Sequence, residues 1–174
     1  SVGGLNLKEI DRVVSFFEHR GADFALMHCV AIYPPPADKL ALNHIELMRD
    51  RYPRITVGFS THEAPENTSA IALAYAKGAR IFEKHVGVPT ETIKLNSYSA
   101  NPEQTRAWVA SFIEAQKSVG EGEREISAAE RADLQSLMRG VFANTPISKG
   151  SPILRKDVFF AMPYLGESHM KSGR

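Results

Sequence analysis

The sequence predicts an α/β fold with a parallel sheet, forming part of a larger barrel or doubly wound sheet. Segments of helical period and segments of strand period alternate over the first 120 residues. The strand segments are apolar runs of the kind covered on both faces in parallel sheets. The polar residues gather where those runs end, which is where parallel α/β proteins bind ligands.

Asn6 and Glu9 form a capping-box pattern, and Ile10, Val13, Val14 and Phe17 then repeat at i, i+3, i+4 and i+7 up to Gly21. Phe24 to Tyr33 is almost wholly apolar and reads as a strand, stopped by Pro34-Pro35-Pro36. A helix is predicted from about Asp38 to Arg51 with Leu42, Ile45 and Met48 inward, and Pro53 closes it. Ile55 to Phe59 is the next strand, Pro65 to Lys77 the next helix, and Arg80 to His85 the third strand. Asn101-Pro102 opens a fourth helix by the N-cap and proline-at-N1 rule, its buried face assigned to Trp108, Val109, Phe112 and Ile113. Three strands alone leave two long unpaired edges, so a larger sheet is expected.

The text then changes. Gly120 to Glu125 is polar, and Ser127 with Glu130 repeats the capping-box pattern ahead of a helix reaching about Met138. Val141 to Ala143, Ile147 to Leu154 and Val158 to Phe160 are short β-like runs split by turn residues, the start of a small β domain. The expected divisions are 1–120, 121–139 and 140–174, with Glu167 to Arg174 frayed.

The 21 Lys and Arg nearly balance the 20 Asp and Glu. A net charge of +1 argues against a nucleic-acid surface or a polybasic membrane patch. No apolar run approaches the ~20 residues that span a bilayer, and the first residues do not read as a secretory signal. Cys29 is the single cysteine, so no internal disulfide can form, and a reducing, cytoplasmic compartment is expected. The chain does not begin with Met, and residues upstream are expected.

Three polar clusters close the strands: His28 to Pro34, Ser60 to Glu63, and Glu83 to His85. By period 2, Gly58, Ser60 and His62 share one face, as do Ile81, Glu83 and His85. His62 and His85 therefore end successive strands where both imidazoles could reach one metal ion; the alternative is two histidines in separate hydrogen-bond networks. Glu83 and Lys84 read either as a solvated pair or as a pair with one member buried, which then needs a partner. Tyr33 could pack on the prolines. Cys29 reads as a small buried residue, and His19 and His44 as surface residues. Ser1-Val2-Gly3-Gly4 has the look of a phosphate-binding turn, a weak signal by itself.

These motifs together resemble the sialic acid synthase family. Ser1-Val2-Gly3-Gly4-Leu5 is similar to its Ser-Thr-Gly-Met segment, Leu26-Met27-His28-Cys29 with Ile32-Tyr33-Pro34 to its "LLHC…YP", Val57 to His62 to its "VGYSDH", and Ile81 to His85 to its "IEKH". Val141 through Asp157-Val158 and Pro163 resembles the entry to its antifreeze-like (SAF) domain. The resemblance implies the last three strands and helices of a (β/α)8 TIM barrel, a linker helix and the start of a SAF domain. It implies condensation of phosphoenolpyruvate with an N-acetylated amino-sugar aldehyde, with C–O cleavage and phosphate release. A divalent metal, Mn2+ with Mg2+ or Co2+ as alternatives, would be held by His62 and His85. Ser1 and Ser60 would contact phosphoenolpyruvate, Tyr33 the sugar, and Glu83 would be the acidic, catalytic residue by the metal. A homodimer is implied, with the SAF domain crossing to the partner barrel.

Three positions depart from the family. Ala31 stands where an Asn is common, Thr61 replaces the Asp of "SDH", and Thr92 to Leu95 occupy the place of a "PGPD" loop. The metal site is kept and the sugar site altered, with Asn96 or Tyr98 as candidate replacements for the missing Asp. The 174 residues alone are expected to lack synthase activity, since three strands cannot close an eight-stranded barrel. A competing reading is a non-catalytic sugar- or partner-binding relative, and another is a different metal-dependent aldolase on the same barrel.

Overall fold

The structure, a computed structural model, describes residues 1–166 and Met170. The tail expected to fray, Glu167 to Arg174, lies outside the described residues apart from Met170. The chain divides into two compact units, Ser1–Gly120 and Glu121–Arg174.

The first unit is a three-stranded parallel sheet in the order β1 (Ala25–Cys29), β2 (Thr56–Thr61), β3 (Ile81–Lys84). Its helices are α1 (Leu7–Glu18), α2 (Asn43–Arg51), α3 (Ser69–Ala76) and α4 (Pro102–Val119). The α1 capping box forms as the sequence predicts: Glu9 N donates to Asn6 Oδ1 at 3.1 Å, and Asn6 N donates to Glu9 Oε2 at 2.8 Å. Asn101 caps α4 in the same way with Gln104, and Pro102 needs no amide partner at N1.

Ile10 and Val14 of α1, Ile45 and Met48 of α2, and Ala70 and Ala74 of α3 pack on Leu26, Val57 and Phe59 of the sheet. Burying a Val, Leu, Ile, Phe or Met side chain contributes about 1.5–3 kcal/mol, so the larger members of this layer dominate the unit's stability. Around its rim, Arg51 donates to both carboxylate oxygens of Asp11 at 2.8 and 2.7 Å, joining α2 to α1, and Tyr52 Oη donates to Asp11 at 2.7 Å.

Several expectations are corrected. The helix predicted from Asp38 begins at Asn43, because a short 3-10 turn (Ala37–Lys39) comes first and Ala41 breaks the run with φ +48°. The first strand ends at Cys29 rather than Tyr33, and burial alternates along it instead of being continuous. Among the described residues helices pack on one face of the sheet, and the other carries Cys29, Ser60 and Glu83. On α4 the buried residues are Trp108 and Ala115, while Val109 and Ile113 are exposed. Both edges of the sheet have partial cover. Val2 N donates to Met27 O at 2.9 Å beside β1, and Ala100 N donates to His85 O at 2.9 Å beyond β3.

The second unit holds α5 (Ala128–Leu137) and an antiparallel pair, β4 (Gly140–Ala143) with β5 (Val158–Ala161). Ser127 accepts from Glu130 N at 3.1 Å, but the Glu130 carboxylate pairs with Arg124 at 3.0 Å instead of completing the capping box. The run predicted as β-like from Ile147 to Leu154 is not a strand. It turns at Ser148–Ser151, and a 3-10 turn (Arg155–Asp157) leads into β5. Gly150, with φ +88°, sits in that turn, where a strand could not continue.

Candidate functional site

In a parallel ladder, paired residues point to the same side. Cys29 pairs with Ser60 and Ser60 with Glu83, so these three share the face away from the helices. His62 and His85 follow two residues after Ser60 and Glu83, beyond the last rung, Thr61 with Lys84. Their ring centroids lie 5.1 Å apart. The two imidazoles expected to meet therefore do meet, and with Ser60, Thr61, Glu83 and Lys84 they line a cleft of about 230 Å3.

Burial lowers the His62 pKa below the usual histidine value, the nearby His85 pushes it further down, and Glu83 opposes them. His62 Nδ1 lies 3.7 Å from Cys29 Sγ. Cys29 is thus half-exposed beside the histidine rather than an inert core residue. A Cβ on Gly3 would come within 3.0 Å of the same sulfur, so the N-terminal glycine turn runs against it. Ser1, at the head of that turn, is exposed and is not part of the cleft lining.

The Ser60 hydroxyl donates to the Glu83 carboxylate. Glu83 and Lys84 are not a pair with each other. Lys84 turns to the opposite side, where its side chain is 2% exposed and its Nζ lies 3.0 Å from Oε1 of Glu63, itself 1% exposed. A strand alternates its side chains, so neighbours 83 and 84 cannot share a face. The Glu63 partner was not singled out from sequence. Its signal was a lysine at a buried strand position, which demands a carboxylate.

Tyr33 and Tyr98 complete the rim. The Tyr33 ring is 4.5 Å from His62 and 5.3 Å from Tyr98, and Tyr98 is 5.1 Å from His85. Of the two replacements considered, Tyr98 is the one in contact with the imidazoles. His28 has a different role: it is 3% exposed, its Nε2 is 2.8 Å from Leu40 O, and its ring stacks on Phe59. His44, expected at the surface, is half-buried, 5.5 Å from His28.

Among the described residues no three His, Cys, Asp or Glu side chains converge as a complete metal cage. The two imidazoles, 5.1 Å apart at an open cleft, make a partial donor set of the kind that suits a borderline divalent cation with free positions. No helix among the described residues is long and apolar enough to cross a membrane.

Comparison with known proteins gives a consistent result. The chain is 46% identical to a crystal structure described as a spore coat polysaccharide biosynthesis protein E from Chromobacterium violaceum ATCC 12472. That match has a TM-score of 0.81 and covers 98% of this chain and 51% of the other. The N-acetylneuraminic acid (sialic acid) synthetase of Leptospira borgpetersenii serovar Hardjo-bovis matches at 29% identity and a TM-score of 0.66, over 76% of this chain and 46% of that one. The N,N'-diacetyllegionaminic acid synthase of Campylobacter jejuni is 25% identical over 98% of this chain and 52% of its own length. The chain spans about half the length of the curated relatives it matches. The NeuB family model matches residues 1–124, and with the paired strand-end motifs this places the chain in the NeuB family, the sialic acid synthases that its sequence resembles.

Proposed function

We propose that this chain is the C-terminal part of a synthase that condenses phosphoenolpyruvate with an amino-sugar aldehyde, giving a nonulosonic acid and phosphate. In this reading Ser1–Gly120 supplies the last three strands of a (β/α)8 barrel, and Glu121–Arg174 carries the linker helix and the opening of a SAF domain. The observation that carries it is the pairing of His62 with His85, 5.1 Å apart, above the Ser60–Glu83 pair in one cleft. Relatives named as sialic acid or legionaminic acid synthases support the reaction class.

His62 and His85 would hold the divalent cation, which supplies Lewis acidity toward a carbonyl oxygen. The lowered pKa of His62 keeps its imidazole neutral and able to donate a lone pair. Glu83 holds the Ser60 hydroxyl and offers a carboxylate to a substrate proton or bound water. Ser60 orients that carboxylate, and it would contact phosphoenolpyruvate by turning its one hydroxyl proton from Glu83 to the substrate anion. Ser1 would contact the same substrate. Tyr33 and Tyr98 stand against the two imidazoles and would offer aromatic rings and two phenol hydroxyls, a surface suited to a sugar. The reaction forms one C–C bond, breaks the enol C–O–P linkage with one water, and releases phosphate.

The test uses the full-length protein with phosphoenolpyruvate, Mn2+ and a panel of amino-sugar aldehydes, reading phosphate release. His62→Ala and His85→Ala should each lower turnover at least about 100-fold, more than outer-shell changes cost. Turnover that survives both substitutions would overturn the reading. Tyr98→Phe should shift the preference among sugars while leaving the KM for phosphoenolpyruvate unchanged.

A further inference from the structure

The β2–β3 ladder stops at Thr61 and Lys84, one residue short of each imidazole. What lies across that end is the buried Glu63–Lys84 pair. Lys84 Nζ donates to Glu63 Oε1 at 3.0 Å and to the Glu63 carbonyl oxygen at 3.4 Å. Glu63 directly follows His62, and Lys84 directly precedes His85. The pair therefore ties together the two chain segments that carry the imidazoles, with the Lys84 ammonium engaged by Glu63. On its other flank His85 is held by Ala100 N, which donates to its carbonyl at 2.9 Å. Both side chains are at most 2% exposed, so solvent does not weaken the attraction as it does for the Arg54–Glu18 pair, whose side chains are 88% and 44% exposed.

We infer that Glu63 and Lys84 are positioning residues that set the spacing of His62 and His85, and through it the affinity for a divalent cation. The inference rests on the proposed metal role of the two histidines only for its second clause. Neither residue lines a ligand in this account; they act through the imidazoles. Replacing one partner alone leaves a buried charge without a counterion and endangers folding. Removing both charges with side chains of similar volume keeps the packing and deletes the tie.

The decisive variant is therefore Glu63→Gln with Lys84→Met in the full-length protein, set beside Lys84→Arg, which retains the pair. Two readouts are needed: Mn2+ binding followed by electron paramagnetic resonance, and the His62–His85 spacing from a crystal structure. The expected result is a 10–100-fold weaker Mn2+ affinity and separated imidazoles in the double variant, with thermal stability near that of the parent and affinity kept in Lys84→Arg. A double variant that folds with parental Mn2+ affinity and a 5.1 Å spacing overturns the inference. If the parent and His62→Ala bind Mn2+ alike, the metal reading fails, and the clamp then stands or falls on the spacing alone.

Discussion

The two faces of the parallel sheet are built from the same three strands and follow opposite rules. Toward the helices, Leu26, Val57 and Phe59 are 3%, 2% and 1% exposed, and even the polar members of that side are enclosed: His28 against Leu40 and Phe59, Lys84 against Glu63. On the other side stand Met27, Cys29, Gly58, Ser60, Ile81 and Glu83, ending in the two imidazoles. Among the described residues the side chains there contact one another across strands, as Ser60 does Glu83. The covered face is fixed by the need to exclude water. The other face carries the polar side chains of the cleft, Ser60 and Glu83 below the two imidazoles.

The largest test of this contrast is Phe59→Ala. Phe59 is 1% exposed and under the His28 ring, so truncation should cost about 3–5 kcal/mol by urea unfolding of the full-length protein. On the open face, Glu83→Ala should cost less than about 1 kcal/mol in the same measurement while removing the partner of Ser60. Equal losses would show that the open face is as much a core as the other.

Gly58 sharpens the comparison because it is a point on the open face where space is absent. A Cβ there would stand 2.6 Å from the Ile81 carbonyl oxygen, with the Met27 side chain also in its way. The methionine can move, but the β3 backbone cannot move without disturbing the ladder that aligns Ser60 with Glu83. Gly58→Ala should therefore cost about 1–3 kcal/mol, as overpacking does. Gly58→Ala with Met27→Ala should recover only part of it. Full recovery would mean that the backbone contact is harmless.

The site was legible in the sequence where it depends on period and register. Counting by two along β2 and β3 puts Ser60, Glu83, His62 and His85 on one side; the ladder pairs Ser60 with Glu83, and the imidazoles meet just beyond its end. Boundaries were less legible where local signals compete. Leu42, Ile45 and Met48 keep helical spacing, yet Ala41 turns the chain and delays α2 to Asn43. The apolar Ile147 to Leu154 run resembles a strand, but Ser148 to Ser151 close a turn within it. Contacts that depend on the path of a loop were the least legible. Nothing local to Glu63 announces Lys84, and nothing near Tyr98 announces His85, since both meetings depend on how the loops after β2 and β3 return over the sheet.

The smallest expected effect concerns acid. Burial lowers the His28 pKa below its ordinary value of 6.5, and the neighbouring His44 adds to the shift, against the opposing hydrogen bond to the Leu40 carbonyl. In the unfolded chain the imidazole takes up its proton near the ordinary value; in the fold it does so only at lower pH. Between those two values the unfolded state binds more protons, so stability rises with pH there. The contribution is complete above about pH 6.5 and is lost as pH falls through the lowered folded value, with a slope of at most about 1.4 kcal/mol per pH unit for one proton. His28→Gln keeps a donor for the Leu40 carbonyl and removes the titration. Urea unfolding at pH 7.5, 6.5, 5.5 and 4.5 should give a flatter stability profile for this variant than for the parent. On the open face His62 shifts in the same direction, and that part of the slope should remain in His28→Gln. If the two profiles coincide, His28 does not contribute, and the acid sensitivity belongs to other groups with lowered pKa, such as His62 and the Lys77-paired Glu46. If the variant is flat throughout, His28 carries all of it.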